Sequence, residues 1–543
     1  MRKKILLCLL GLNFVATQAQ NGSISLAEKY LRGENNHFRD FWDVKYYDLQ
    51  LETHAESKSI KGEVVIDLSL DKQGRFLQID LQKPMQITQV EQLLAFNKVK
   101  KIPLHSILNK GDHYFIPTKK LKQEKNIKLR FSFQGKPKIA LQAPWDGGWI
   151  FTKDLENRNW LSVAVQHQGA SLWFPCKDYQ GDEPDRGAMI RVKTENNQVA
   201  VANGNLISKE NGVYTWQVKN PINTYNITPN IGSYVHFSDT YHGENGKLKL
   251  NYWVLDYNVE KAKKQFKQVP MMLKAFEHWF GAYPFYEDSY KLVETPFLGM
   301  EHQSNIAYGN DYQNGYRGMD RSGSGYGNLF DFIIIHESGH EWFGNNITTE
   351  QIADMWVHEA FTTYSEALFV EYYYGKEAAQ KYLQGYQRQI LNDRPMQGVH
   401  DEHQEGSVDM YNKGACMIQT LREWMNDDAA FLALMRGLNK DFRHKIVTGA
   451  QIERYIEDKT KLDLKAFFNQ YLRTTQIPIL AIKKEKNQYF YRWENCVDGF
   501  AMPVQLKNKD WIQPTQEWKV LPQKDVNVLP NKNLLIQFKN YNL

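Results

Sequence analysis

The apolar residues of this 543-residue chain change their period twice. From about Asp40 to residue 245 they alternate with polar neighbours, as in Leu49-Gln50-Leu51, Gly62-Glu63-Val64-Val65-Ile66-Asp67-Leu68 and Ile127-Lys128-Leu129-Arg130-Phe131. That is the period of half-buried strands separated by polar turns. After Asn251-Tyr252-Trp253-Val254 the spacing becomes helical, and helices are expected over residues 259–280, 328–344, 355–374, 376–392, 409–425, 428–438 and 449–472. Beyond Pro478 alternation returns, at residues 488–493 and 534–538. Strands and helices in separate blocks predict a multidomain α+β protein rather than an interleaved α/β sheet. The expected division is an N-terminal β domain at 20–247, a mainly helical domain at 248–475 and a small β domain at 476–543.

Composition sets limits without selecting a function. With 42% hydrophobic, 24% charged and 13% aromatic residues, the chain is globular and is no disordered scaffold. A formal charge of +5 is too small to draw nucleic acid or an acidic membrane. Lys128 and Arg130 alternate with apolar neighbours, so they are expected on a solvated sheet face rather than at a polyanion site.

The N-terminus has the order of an export signal. Arg2, Lys3 and Lys4 precede the apolar residues 5–15, and Thr17-Gln18-Ala19 offers a small-x-small cleavage site. The apolar stretch is shorter than the roughly 20 residues a bilayer span needs. Cys8 follows Leu7 rather than a small residue, which argues against a lipid anchor. Removing residues 1–19 takes away three of the 67 basic residues and no acid, so +5 becomes +2. The expectation is an exported protein, periplasmic or secreted, with no integral membrane segment after cleavage. The mature chain would keep Cys176, Cys416 and Cys496, an odd and widely spaced set expected as buried thiols, with one pairing left open.

The chemistry concentrates in Phe332-Ile333-Ile334-Ile335-His336-Glu337-Ser338-Gly339-His340-Glu341-Trp342. On a helix His336 and His340 lie one turn apart on the same face, so both imidazoles can reach one ion. Glu337 is turned about 100° from them, close enough to hold a water at that ion. HExxH thus supplies two zinc ligands and a general base. Phe343 and Asn346 occupy the positions where a three-histidine site needs glycine and histidine. Trp356-Val357-His358-Glu359 instead opens a second helix, with Glu359 nineteen residues after His340 and placed to be the third ligand. The plain alternative is a buried helix with incidental polar residues.

HExxH with glutamate at this interval, inside Trp356-Val357-His358-Glu359-Ala360-Phe361-Thr362-Thr363-Tyr364-Ser365-Glu366, resembles the gluzincin aminopeptidases, peptidase family M1. Leu298-Gly299-Met300-Glu301-His302 is similar to that family's GxMEN exopeptidase motif, and Tyr411-Asn412-Lys413-Gly414 to its YxKG motif. Gln166-His167-Gln168-Gly169, followed by Phe174-Pro175-Cys176, resembles its substrate-binding stretch, and Phe280-Gly281-Ala282-Tyr283-Pro284-Phe285 a segment near the start of its catalytic domain. The sequence departs from the pattern at Leu298, His302, Ser338-Gly339 and Glu341, which leaves subsite shape open. The resemblance implies a saddle-like N-terminal sheet, a thermolysin-like zinc domain at 248–475 and a small C-terminal β-sandwich, without the long helical domain many relatives carry.

It also implies roles. One Zn2+ per chain would be held by His336, His340 and Glu359. Glu337 would take the proton of a zinc-activated water and pass it to the leaving amine. Tyr411 would donate to the oxyanion. Glu301 and Gln168, beside Gly299 and Met300, would bind the free α-ammonium of a peptide, the expected partner. The expected function is therefore a zinc aminopeptidase. A lipid epoxide hydrolase, an endopeptidase and a non-catalytic binding protein are the competing readings. His302 and His358 adjoin site residues, whereas His403 reads as a solvated or hydrogen-bonded histidine.

Overall fold

The computed structural model describes residues 26–541 except 123, 196, 487 and 522–528, with only the backbone for 26–29. The expected export signal and Cys8 lie outside the described residues. Among those described, no helix is long and apolar enough to cross a membrane.

The first domain is built on two long strands, Trp42–His54 and Ser59–Leu70, paired antiparallel along their whole length. They lie at the centre of an eight-stranded sheet, and their inward Val44, Leu49, Val64, Ile66 and Leu68 are almost completely buried. Alternation is what allows one face to pack while the other meets water. On that outer face Arg130 pairs with Glu91 and Lys128 lies 3.8 Å from Asp67. Both basic residues are therefore matched by acids across the strands. A smaller four-stranded sheet contains Gly148–Lys153 and Asn159–Ala164, and the latter leads directly into Gln166.

The hairpin Tyr234–Gly243 and Gly246–Leu255 belongs to the next sheet, beside Tyr290–Glu294, Ile306–Tyr308 and the edge strand Gly299–Met300. The expected boundary at 247/248 falls inside this hairpin, whose Tyr234, Trp253 and Leu255 pack with the apolar cluster of the first domain and whose Leu248, Leu250 and Tyr252 pack with that of the second. Alternation continues through both strands, so periodicity alone gives no break there. Behind this sheet stand the helices Gln268–Phe280, Phe332–Gly339, Trp356–Tyr374 and Asp409–Met425. The Trp356–Tyr374 helix is buried on every side through Val370, so its polar residues, Glu359, Thr362 and Glu366 among them, face protein rather than solvent.

Two expected helices are broken. Residues 259–280 divide into Val259–Gln265 and Gln268–Phe280, with Pro270 in the opening turn of the second, where a missing N–H costs nothing. Residues 449–472 divide at Lys461, whose φ of 60° caps the first helix.

After Pro478 come a four-stranded sheet, which includes Ile479–Glu485 and Gln488–Glu494, and a separate two-stranded ladder. Their Ile482, Trp493, Phe500, Leu534 and Leu535 share one apolar cluster with Phe467, Tyr471 and the helices around the site. Tyr471 donates to the carbonyl of Leu535 at 2.8 Å, and Thr420 accepts the Leu535 N–H at 2.8 Å. This module thus packs its apolar residues directly on the helical core. The three cysteines are unpaired, Cys176 and Cys416 buried and Cys496 half-buried.

Candidate metal centre

Asp331 starts the first site helix by accepting the N–H groups of Ile333 and Ile334 at 3.1 and 3.4 Å. The same carboxylate takes the Tyr308 hydroxyl at 2.7 Å, which fixes the helix to the strand Ile306–Tyr308. Helical spacing then brings the rings of His336 and His340 to 5.1 Å between centroids. The α-helix stops after Gly339. Phe343 and Gly344 leave helical geometry, Gly344 at a φ of 130° that glycine tolerates. This turn delivers the carbonyl of Phe343 to His340 Nδ1 at 3.0 Å.

The second helix supplies two carboxylates two turns apart on one face. Glu359 Oε2 lies 3.4 Å from His340 Nε2 and 3.9 Å from His336 Nε2. Glu366 Oε1 lies 2.7 Å from His336 Nδ1, and its other oxygen accepts the hydroxyls of Tyr382 and Tyr386 at 2.7 and 2.5 Å. Each imidazole thus has Nδ1 against a fixed acceptor and Nε2 turned toward Glu359, the orientation in which both Nε2 atoms could bind one ion.

The donor set fits a cation. The ligand atoms of His336, His340 and Glu359 lie within 4.8 Å of one another, and Glu359 Oε2 is buried without a hydrogen-bond partner. An orphaned buried carboxylate oxygen is expensive unless a positive charge completes it. Burial opposes the charge on both groups, yet His340 is drawn up to about 10 by Glu359, and Glu359 down to about 2 by the imidazoles of His340 and His336. Two imidazoles and one carboxylate form a zinc-type set with further positions for solvent or substrate.

Glu337 is buried, and burial pushes its carboxyl up to about 7 against the pull of His336 and His340. The edge strand runs directly over it. A Cβ at Gly299 would lie 2.9 Å from Glu337 Oε1 and 2.8 Å from Ile333 Cγ2, so only glycine permits this approach. Met300 is 4% exposed and packs with Ala164, Phe297 and Ala307.

Tyr411 stands in the first turn of Asp409–Met425, half-buried, its ring 6.1 Å from that of His336. Burial, then the Glu359 carboxylate, hold its phenol well above the usual value, so it keeps its proton. The rest of its motif positions it. Lys413 Nζ donates to Asn392 and to the carbonyl of Thr474 at 3.0 and 2.9 Å, and a Cβ at Gly414 would come within 2.5 Å of Ala360 Cβ. Gly414 thus sets how closely the two helices approach.

Glu301 is 2% exposed and shares with Glu337 and His340 a second group of converging ligand atoms. Its carboxylate accepts the Tyr225 hydroxyl at 3.1 Å and the amide N–H of Gln166, and its backbone carbonyl accepts Asn345 Nδ2 at 2.8 Å. Of the two glutamines in this stretch, Gln166 is the one bonded to Glu301. The side chain of Gln168 lies against Gly147, and its carbonyl accepts Arg32 and Gln82. The cause is His167, whose φ of 62° breaks the extended path that would put both glutamines on one face. Tyr225 lies in a short turn with no motif, and nothing in its local sequence signals its role. Of the other histidines, His358 accepts the Thr349 N–H at 2.9 Å, His403 is bonded to the carbonyl of His167, and His302 is buried with no protein partner for either nitrogen.

Comparison with known proteins agrees with this geometry. Residues 44–235 match the peptidase M1 N-terminal domain, and residues 265–471 the peptidase family M1 domain. Probable aminopeptidase 1 of Sulfurisphaera tokodaii is 22% identical over 400 residues, covering 68% of this chain and 48% of its own length. Glutamyl aminopeptidase of Bos taurus is 23% identical over 492 residues, covering 82% and 48%. The chain spans about half the length of these curated relatives. An M1 zinc metallopeptidase from Deinococcus radiodurans superposes with a TM-score of 0.66 at 18% identity, over 81% of this chain and 95% of that one. The fold is thus the two-domain metallopeptidase arrangement, an N-terminal β domain on a helical catalytic domain, and the ion that His336, His340 and Glu359 would hold is zinc. With matches that cover both domains, and with HExxH and its distant glutamate converging on one point, the chain belongs to peptidase family M1.

Proposed function

We propose that the protein is a zinc aminopeptidase that removes N-terminal residues from peptides. The observation that carries this reading is the buried Glu301 carboxylate, which converges with Glu337 and His340 at the edge of the metal site. A free α-ammonium is the natural counter-charge for such a carboxylate, and seating it there puts the first peptide bond over the metal. The names of the relatives, probable aminopeptidase and glutamyl aminopeptidase, support the same reading.

Bound zinc would supply Lewis acidity toward the scissile carbonyl and lower the pKa of a bound water toward about 7. Glu337, held near neutrality by burial, accepts a proton from the attacking water and returns it to the leaving amine. Tyr411, protonated and facing the ligands, donates a hydrogen bond to the developing oxyanion. Gln166 and Tyr225 fix the Glu301 carboxylate, and Gln168, two residues along the same loop, is proposed to accept a further hydrogen bond from the ammonium. The basic, apolar and small-residue order of residues 1–19 supports export to the periplasm or beyond.

A panel of aminoacyl chromogenic substrates, with and without chelator, tests the function. Chelator-sensitive hydrolysis restored by zinc is expected. Absent hydrolysis, or hydrolysis indifferent to chelation, overturns it.

A further inference from the structure

The loop that leaves Asn159–Ala164 is gripped at His167 from the other domain. The carbonyl of His167 accepts the ring N–H of His403 at 2.5 Å, and its own Nδ1 lies 2.9 Å from Glu405 Oε2. Glu405 and His403 stand in the segment that leads into the Asp409–Met425 helix, six and eight residues before Tyr411. His167 is a non-glycine residue at a φ of 62°, a conformation that survives where surrounding contacts impose it. On its N-terminal side is Gln166, bonded to Glu301. Gln166, His167, Tyr225 and His403 line one cavity beside Glu301.

This arrangement crosses the cleft. One end bears on the carboxylate proposed to take the ammonium, and the other on the segment that presents the phenol. Burial would discharge the imidazole, but Glu405, with smaller help from Glu359 and Glu301, keeps it charged up to about 9. Its side chain and that of Glu405 are 29% and 30% exposed, but the facing Glu405 Oε2 is buried, so the cost of desolvation offsets much of the pair's attraction. A pair of that kind is worth more as a locator than as a fastener.

We propose that the His167–Glu405 ion pair is a positioning device that couples the ammonium end of the site, through Gln166 and Glu301, to the oxyanion end at Tyr411. The coupling rests on the aminopeptidase reading. It separates from a plain interdomain contact because it predicts lost turnover without lost stability.

The test compares wild type with His167→Gln, Glu405→Gln, the double variant and His167→Lys on one aminoacyl chromogenic substrate, with zinc content and Tm measured for each. Expected is a fall in kcat/KM of about 10- to 100-fold in either single variant, carried mainly by kcat, with zinc content and Tm near wild type. The double variant should be no worse than the singles, and His167→Lys, which keeps the cation, should recover most activity. Single variants within twofold of wild type, losses that multiply in the double variant, no rescue by lysine, or losses that track Tm or zinc would each overturn the coupling. A wild type inactive on every aminoacyl substrate would overturn the aminopeptidase reading instead.

Discussion

The proposed mechanism gives Glu337 and Tyr411 separable work, and substitutions that preserve their shapes separate it. Glu337→Gln keeps volume and hydrogen bonding but accepts no proton, so kcat should fall by about 10²- to 10⁴-fold while zinc content by metal analysis stays at wild type. Tyr411→Phe removes the proposed oxyanion donor, and kcat should fall by about 10²- to 10³-fold with KM little changed. Retained turnover in either variant would remove that residue from the mechanism. His336, His340 and Glu359 were legible in the sequence because helical period converts spacing into direction. That Gln166 bonds Glu301 was not legible, since a positive φ at His167 has no signature in a Gln-His-Gln run. Tyr225 was invisible, because its place beside Glu301 is a tertiary fact.

Two elements make the site by close approach, and each gives a measurement. The edge strand Gly299–Met300 passes so near Glu337 that Gly299→Ala must push the strand or the carboxylate away. Turnover should fall at least about tenfold with zinc retained; full activity would mean that the strand has slack. The turn after the first site helix holds Glu341, buried and raised by that burial to about 8, with Tyr283 and the Ser304 N–H both donating to it. Between about pH 4.5 and 8 the folded protein keeps a proton that the unfolded chain releases, so stability should decline as pH rises through that window. Glu341→Gln removes this titration, and the drop in Tm from pH 5 to pH 8.5 should shrink by a few degrees relative to wild type. An unchanged difference would show that Glu341 ionises freely. The helix breaks at residues 266–267 and 461–464 escaped the periodic reading, because one face stays apolar through both, and only Pro270 marks the first.

For the whole molecule, the change of period near residue 250 was enough to predict β and helical blocks and, with the metal motif, the side of the chain that carries the chemistry. It did not reveal that the Tyr234–Leu255 hairpin belongs to the second sheet, nor that the C-terminal strands share the helical core. Both depend on which face packs on what, and an alternating strand looks alike in either domain. The central claim also concerns the whole cleft, because Gln166 and Tyr225 reach Glu301 from the first domain while the metal ligands stand in the second. Its most direct test is the rate on one peptide with a free N-terminus against the same peptide N-acetylated, for wild type and for Glu301→Ala. Wild type should cleave the free peptide and spare the acetylated one, and Glu301→Ala should lose at least about 100-fold in kcat/KM on the free peptide while keeping its zinc. Equal cleavage of both peptides, or an unimpaired Glu301→Ala, would contradict selection of the N-terminus by this site.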